Sequence, residues 1–246
     1  MSDLMNNIRV VLINTTHAGN IGAAARAMKV MGMNNLRLVS PADYPSAKAT
    51  AMASGADDVL QMASIHNDLD SALEGCQLVL GSSARLRSLP MPQMDARAAA
   101  VQAVNEARQH PVALLFGRER HGLTNEEIQR CHFLVHINAN PDYSSLNLAQ
   151  AVQVLAYELR MASLEHSEPV LLPLDYEPVD DRQMELFYLH LEQALLDIRF
   201  LNPAQPKRLL ARLRRLFTRA RPDQNEINIL RGILSAAQQQ DKDGDD

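Results

Sequence analysis

The chain has 246 residues, of which 46% are hydrophobic, and a formal net charge of -5 at pH 7. This composition indicates a globular protein with enough apolar residues for a packed core. Cys76 and Cys131 are too few for a disulfide framework or a zinc-thiolate quartet, which excludes those small-protein classes and favours a reducing compartment. Because the sequence shows neither a signal peptide nor an apolar run of membrane-spanning length, we expect a cytoplasmic protein without a membrane partner.

Short aliphatic runs alternate with helical patterns through the first two thirds of the chain. The runs predict buried parallel strands at residues 8–14, 36–40, 77–82, 112–116 and 133–138. Helices are predicted at residues 20–32, 68–74, 96–109, 125–130 and 146–165. Thr124 and Glu127 have the spacing of a capping box at the start of the fourth helix. The alternation predicts an α/β fold with a parallel sheet, whose ligand crevice lies at the carboxyl ends of the strands.

The last third of the chain is organised differently. Residues 167–181 mix prolines with acidic residues, which is typical of a linker. Beyond them, helical patterns cover residues 182–197, 207–219 and 225–240. We therefore predict three parts, with a first domain over residues 1–166, a linker over residues 167–181 and an all-helical extension over residues 182–246.

The loop after the first predicted strand contains glycines and an unusual cation. Its glycines favour a strand-to-helix turn, but their spacing matches neither a dinucleotide-binding fingerprint nor a P-loop, so a nucleotide-binding oxidoreductase is disfavoured. Arg26 lies among alanines and methionine on the following helix. A permanent cation there must reach water, a carboxylate or a phosphate.

Polar loops also follow the strands predicted at residues 77–82, 112–116 and 133–138. They contain Ser82-Ser83-Ala84, Gly117-Arg118-Glu119-Arg120 and Ser144-Ser145-Leu146-Asn147. For the second loop, a solvated ion-pair cluster of Arg118, Glu119 and Arg120 is an equally good explanation. Since the carboxyl ends of parallel strands share one edge of a sheet, we expect the loops to converge there beside unpaired N–H groups of a helix start.

Three of these segments resemble the three motifs of the SpoU/TrmH branch of the SPOUT RNA methyltransferases. The matching strings run from Asn20 to Arg26, from Phe116 to Glu119 with Gly122-Leu123, and from Ser144 to Asn147. The resemblance covers about residues 7–165. It implies a SPOUT-type parallel sheet with a C-terminal trefoil knot, S-adenosyl-L-methionine as cofactor, and a homodimer with the cofactor at its interface. General topology rules argue against a knot, so this expectation depends on the resemblance alone.

The resemblance also implies a role for each matching residue. The cofactor-binding residues would be Ser82, Ser83, Ala84, Gly117, Ile137, Ser144, Ser145 and Leu146. The catalytic residues would be Arg26, Asn20, Glu119, Ser145 and Asn147. Because a guanidinium keeps its proton at physiological pH, we expect Arg26 to stabilise an alkoxide or grip a phosphate. Glu119 would either pair with Arg26 or Arg118, or accept a proton.

The helix predicted at residues 207–219 is strongly basic. Leu209, Leu210, Leu213, Leu216 and Phe217 form one apolar stripe, and basic residues line another face. A solvated helix surface would explain the charges, but the absence of acidic residues between Arg199 and Arg221 favours phosphate binding. The predicted RNA-binding residues are Lys207, Arg208, Arg212, Arg215, Arg219 and Arg221. With no Trp and five each of Phe and Tyr, we expect recognition of RNA shape.

Longer strings around residues 138–148 and 216–222 are similar to tRNA 2'-O-methyltransferases of the same branch. This likeness implies methylation of tRNA, on a cytidine or uridine ribose at nucleotide 32 of the anticodon loop. A ribosomal RNA 2'-O-methyltransferase of this branch and a noncatalytic RNA-binding protein on this fold remain alternatives. No metal is expected, because Cys131, His132 and His136 have no further ligand nearby in the sequence.

Overall fold

The computed structural model describes residues 2–84, 91–164, 179–203 and 208–243 of the chain. The chain divides into two compact units, Met1–Val170 and Leu171–Asp246. Most of the predicted linker falls on residues 165–178, which lie outside the described residues.

The first unit is built on a parallel β-sheet. Its strands are β1 (Ile8–Ile13), β2 (Leu36–Val39), β3 (Ser64–His66), β4 (Leu78–Ser82), β5 (Gln93–Asp95), β6 (Val112–Phe116) and β7 (Phe133–His136). They form one seven-stranded sheet in the order β3-β2-β1-β6-β4-β7-β5, and every registered pair is parallel. The five predicted strands are confirmed. The sequence did not predict β3 and β5, because these edge strands are three residues long and largely polar.

Helices pack on both faces of the sheet. They are α1 (Ser2–Asn6), α2 (Ala18–Val30), α3 (Ala47–Ala53), α4 (Asp57–Met62), α5 (Leu69–Leu73), α6 (Ala96–Glu106), α7 (Asn125–Gln129) and α8 (Leu148–Leu164). One core cluster joins α2, α6 and α8 to the sheet through small residues such as Ala25 and Ala103. In a second cluster, Leu73 of α5 and Ile128 of α7 pack with strand side chains that do not belong to the first cluster. Apolar burial on both sides explains why the central strands are nearly continuous aliphatic runs.

Side-chain caps determine where several helices begin. The predicted capping box of α7 is present, with the Thr124 side chain and Glu127 bonding reciprocally to backbone N–H groups. The last helix of this unit begins at Leu148, two residues later than predicted. There the Ala149 N–H donates to Oδ1 of Asn147 at 2.9 Å. The segment from Ser144 to Leu146 is therefore a loop ahead of α8.

The second unit contains α9 (Asp181–Asp197), α10 (Leu209–Ala220) and α11 (Gln224–Asp243). Phe187 is fully buried at its centre, and its ring packs edge-on against Phe217 at a centroid distance of 4.9 Å. Val179 is buried in the same core, and the Asp180 side chain caps α9. The predicted apolar stripe of α10 is wrong at Leu216, which is 45% exposed.

Candidate active site

A cavity of about 360 Å³ lies at the carboxyl ends of β4, β6 and β7. Its walls include all eight residues predicted to bind a cofactor, which are Ser82, Ser83, Ala84, Gly117, Ile137, Ser144, Ser145 and Leu146. Glu119 and Asn147 also line this cavity, whereas Asn20 and Arg26 do not. The order of the strands explains this convergence, because β6, β4 and β7 are consecutive neighbours in the sheet. The polar loops that follow them therefore meet at one edge.

A tight hairpin after β6 forms one wall of the cavity. The Arg118 N–H donates to the Gly122 carbonyl at 3.1 Å, and the Gly122 N–H donates to the Arg118 carbonyl at 2.8 Å. A Cβ on Gly117 would lie 2.1 Å from the carbonyl carbon of Gly122, so this close approach requires glycine. Gly122 has a φ of 65°, in the left-handed region that also favours glycine. Backbone geometry thus holds the hairpin tip, residues 119–121, in a defined position.

Glu119, at the tip of this hairpin, joins the cavity to the start of α2. Its Oε2 accepts from the Thr16 N–H at 3.3 Å and from the Thr16 hydroxyl at 3.0 Å. Its Oε1 accepts from the His17 N–H at 3.2 Å and from Nδ2 of Asn20 at 2.9 Å. Partial burial opposes ionisation, but the hydrogen bonds from Asn20, Thr16 and His17 together lower the pKa of Glu119 below its ordinary value. The carboxylate is therefore ionised at neutral pH.

Two asparagine side chains extend this network to α8. The amide of Asn20 donates to Glu119, so its Oδ1 is left to accept, and it accepts from Nδ2 of Asn147 at 3.0 Å. Oδ1 of Asn147 in turn accepts from the Ala149 N–H. Because an ionised carboxylate can only accept, it fixes the orientation of both amides. The network runs from the hairpin through α2 to the first turn of α8.

The side chain of Arg118 has different partners from that of its neighbour Glu119. Its Nη1 contacts both carboxylate oxygens of Glu127, at 2.9 and 3.0 Å, and its Nη2 donates to Oδ1 of Asn14 at 2.7 Å. Glu119 therefore pairs with neither Arg26 nor Arg118, so the ion pair, one of the two roles expected for it, is wrong. The physical reason is that four donors at the start of α2 occupy Glu119, while Glu127 and Asn14 occupy Arg118.

Arg26 lies two turns into α2 from this network. Its side chain is exposed and forms no hydrogen bond or ion pair with any residue in the described ranges. It is on the same helix as Asn20 but outside the cavity wall. Among the described residues, none neutralises this cation.

Several residues of this region were given no catalytic or binding role in the sequence analysis. Thr16 and His17 hold Glu119, and Arg120 and His121 line the cavity at the hairpin tip. A short polar pair directly before a helix is a general signal of helix capping, but nothing in it identifies a carboxylate about a hundred residues away. The signal for Arg120 is its place between two residues of the second motif.

Two of the three residues considered for a metal site, Cys131 and His132, have structural contacts. Nδ1 of His132 accepts from the Val79 N–H at 3.0 Å, and Sγ of Cys131 contacts the Glu127 carbonyl at 3.4 Å. Within the described part of the chain, no group of three or more His, Cys, Asp or Glu side chains is arranged to hold a metal ion. Likewise, no described helix is both long and apolar enough to cross a membrane.

The predicted RNA-binding residues lie on and around α10, with one exception. Arg208, Arg212 and Arg219 are exposed, whereas Arg215 and Arg221 are half-buried. Lys207 lies outside the described residues. Arg214 faces inward, where it contacts both carboxylate oxygens of Glu185 and lies 4.2 Å over the ring of Tyr188. Arg214 is therefore held by an ion pair, whereas Arg208, Arg212 and Arg219 remain exposed at the surface.

Comparison with known proteins agrees with this architecture. Residues 7–157 match the SpoU rRNA methylase family, and residues 182–246 match the C-terminal domain of the tRNA methyltransferase TrmJ. The tRNA (cytidine/uridine-2'-O-)-methyltransferase TrmJ of Escherichia coli O1:K1 / APEC is 54% identical, over 97% of this chain and 98% of that protein. The chain therefore belongs to the SpoU methylase family, and it is a methyltransferase.

Solved structures support the same assignment. The crystal structure of TrmJ from Z. mobilis ZM4 has a TM-score of 0.81 and 33% identity, and the match covers 93% of this chain and 97% of that chain. The SpoU methyltransferase AviRb from Streptomyces viridochromogenes, in complex with AdoMet, has a TM-score of 0.51 and 22% identity, over 62% of this chain and 59% of that one. The second likeness confirms the SPOUT-type α/β fold. Together with the C-terminal match, the first places the chain with the TrmJ-type members of the family.

Proposed function

We propose that this protein transfers a methyl group from S-adenosyl-L-methionine to a ribose 2'-hydroxyl of tRNA. The nucleoside is cytidine or uridine, and its position is nucleotide 32 of the anticodon loop. The observation that carries the proposal is the cavity, whose walls contain residues of the second and third motifs. The first motif is connected to them by the hydrogen bond from Asn20 to Glu119. Similarity to tRNA methyltransferases along nearly the whole chain supports tRNA over ribosomal RNA as substrate.

The lining of the cavity fits the proposed methyl donor. Its volume of about 360 Å³ is within the range of small-molecule sites. Ile137 and Leu146 offer apolar surface for an adenine ring, while Ser82, Ser83 and Ser144 offer hydroxyl and backbone groups for polar atoms. The lack of a side chain on Gly117 lets the backbone of Gly122 and Leu123 pack directly against it, which shapes this wall of the cavity. When bound, S-adenosyl-L-methionine supplies an electrophilic methyl group on a sulfonium.

The chain's own residues have to make a ribose hydroxyl a better nucleophile. An alcohol reacts slowly unless its proton is removed or the developing alkoxide is stabilised. Arg26 supplies a permanent positive charge for that oxygen or for the adjacent phosphate. Glu119 is poorly suited to accept the proton, because four hydrogen bonds occupy its oxygens and lower its pKa. We assign Glu119 and Asn20 to positioning, and Ser145 and Asn147 to the polar wall next to the substrate.

We further propose that the enzyme acts as a homodimer in which Arg26 serves the cavity of the partner subunit. The support is that Arg26 is exposed and lies outside the cavity wall of its own chain. The trefoil knot implied by the family resemblance remains part of this proposal. The proposal also includes the domain division, with a methyltransferase domain that ends at residue 166 and a basic extension that begins at residue 182 and binds tRNA. It further includes action in the cytoplasm, where the tRNA substrate is found.

A complementation experiment tests the subunit assignment. An Arg26→Ala variant and a Gly117→Ala variant, each inactive alone, are mixed under conditions that exchange subunits. Supply of Arg26 by the partner predicts that mixing restores part of the activity, because hybrid dimers contain one complete site. No recovery despite verified hybrid formation would place Arg26 in the site of its own chain.

Methyl transfer from radioactive donor to purified RNA tests the main proposal. We expect incorporation into bulk tRNA lacking the modification and little into ribosomal RNA. Preferential labelling of ribosomal RNA would favour the alternative enzyme of the same branch, and binding of RNA without transfer would favour a noncatalytic protein.

A further inference from the structure

The hairpin tip at the cavity carries a second unpaired cation. Arg120 lines the cavity, its side chain is exposed, and it has no hydrogen bond or ion pair with any described residue. Its two neighbours differ from it in this respect. Arg118 is held by Glu127 and Asn14, and Glu119 is held at the start of α2.

The neighbouring carboxylate does not neutralise Arg120. Both oxygens of Glu119 accept hydrogen bonds from Thr16, His17 and Asn20, which lie on the α2 side of the hairpin. A guanidinium cannot lose its proton in this pH range, so the charge persists. The cavity wall therefore presents a fixed positive charge for which the described residues provide no counter-ion.

The backbone around Arg120 is held on both sides. The reciprocal hydrogen bonds between Arg118 and Gly122 close the hairpin, and the side chains of Arg118 and Glu119 anchor its two faces. An anchored tip fixes the origin of the Arg120 side chain and reduces the entropy lost when its guanidinium binds. Such a cation is suited to a planar, bidentate contact with a phosphate.

The charge of the methyl donor argues against the donor as the partner of Arg120. S-adenosyl-L-methionine carries a sulfonium and an ammonium against one carboxylate, so its net charge opposes an additional cation in the wall. A polyanion approaching the open side of the cavity has the opposite charge. RNA must bring its ribose to this opening under the proposed function, and each ribose is flanked by phosphates.

From this geometry we infer that Arg120 binds a backbone phosphate adjacent to the target ribose and positions that ribose for transfer. The inference rests on the proposed function and extends it to a residue outside the family motif assignments above. Arg120 is a positioning residue with an RNA contact, and this contact is additional to those proposed for the basic residues of α10. Its contact is electrostatic and does not read the base.

The test compares Arg120→Gln and Arg120→Lys with an Arg108→Gln control in the full-length protein. Arg108 is also exposed, but it follows α6 and precedes β6, which places it toward the opposite edge of the sheet from the cavity. We measure tRNA binding against salt concentration, steady-state kinetics with tRNA, and calorimetric affinity for S-adenosylhomocysteine. These three readouts separate the RNA contact from the cofactor site.

For Arg120→Gln we expect a roughly tenfold higher KM for tRNA and a salt slope reduced by about one. Affinity for S-adenosylhomocysteine should stay within about twofold, and Arg120→Lys should recover part of the loss because it restores the charge. An unchanged salt slope would overturn the inference, and lost S-adenosylhomocysteine affinity with an unchanged slope would make Arg120 a cofactor ligand. If wild-type protein fails to methylate tRNA, the proposed function fails, and the binding slopes still decide the role of Arg120.

Discussion

Nδ2 of Asn147 donates a hydrogen bond to Oδ1 of Asn20 at 3.0 Å, and the two residues are 127 positions apart in the chain. This bond joins the loop ahead of α8 to the start of α2, and the adjacent bond from Asn20 to Glu119 joins both to the hairpin after β6. Three segments that are distant in sequence are thereby connected through two amides and one carboxylate. Their relative position depends on the direction of each hydrogen bond.

Replacing Asn147 with Asp removes the hydrogen-bond donor at one end of this network. In Asn147→Asp, an acceptor oxygen replaces the donor that faces Oδ1 of Asn20, so two acceptors oppose each other. We expect methyl transfer to fall by about tenfold to a hundredfold, which corresponds to ~1–3 kcal/mol for an unsatisfied polar contact. Single-turnover rates measure the effect. Asn140→Asp is the matched control, since Oδ1 of Asn140 only accepts from the Asp142 N–H and a carboxylate retains that role.

Glu119 contributes to stability in a pH-dependent way. Its folded-state pKa lies below the ordinary value of 4.5, so the unfolded chain binds its proton at higher pH than the native protein does. The contribution is complete above about pH 4.5 and is lost as pH falls through the lower native pKa. Glu119→Gln should cost about 1 kcal/mol in the free energy of unfolding at neutral pH, because an amide group opposes two of the donors.

Denaturant unfolding of wild type and Glu119→Gln across pH 3 to 7 checks this prediction. The difference between the two proteins should shrink as the solution becomes acidic. A difference that stays constant with pH would mean that the network does not depend on the ionised carboxylate.

Two glycine substitutions distinguish the contribution of the cavity wall to cofactor binding from that of the nearby helix α2. In Gly117→Ala, the new Cβ would lie 2.1 Å from the Gly122 carbonyl carbon and 2.2 Å from the Leu123 nitrogen, so the hairpin has to move. In Gly19→Ala, the new Cβ would make ordinary contacts of 3.5 Å with Lys48 and Met52. We expect affinity for S-adenosylhomocysteine to fall at least tenfold in Gly117→Ala and to be retained in Gly19→Ala. Equal affinities in calorimetry would contradict the placement of the cofactor beside Gly117.

The exposed arginines of α10 predict a strong salt dependence of RNA binding. The double substitution Arg212→Gln/Arg219→Gln should reduce the slope of log binding constant against log salt by about two, if each residue contacts one phosphate. Its effect should be similar for tRNAs of different sequence, because phosphate contacts do not read bases. Arg108→Gln again serves as the control. A slope unchanged from wild type would exclude this helix surface from tRNA docking.

Much of the fold follows from the sequence because its signals are local. Aliphatic runs identified β1, β2, β4, β6 and β7, and the Thr124 and Glu127 spacing identified the start of α7. The edge strands β3 and β5 were missed, since three-residue strands carry no periodicity. Helices α3 and α4 were missed for a related reason, because they have seven and six residues and a mixed polarity.

The site was less accessible to sequence reasoning than the sheet. Family likeness brought together the residues that now line the cavity, but it did not indicate what Glu119 contacts. The sequence left two roles open for Glu119, an ion pair with Arg26 or Arg118 and acceptance of a proton. In the structure, Arg118 instead contacts Glu127 and Asn14, and Glu119 accepts hydrogen bonds at the start of α2. Such partner choices depend on tertiary geometry, which the spacing of residues in one chain does not encode.

The most direct test of the account is mass spectrometry of tRNA incubated with the purified protein and S-adenosyl-L-methionine. Nucleoside analysis should detect 2'-O-methylcytidine or 2'-O-methyluridine, and fragment mapping should assign it to nucleotide 32. The product should be absent with Arg26→Ala. A methyl group found on a base, a ribose methylated at another position, or no methylation of tRNA at all would contradict the account.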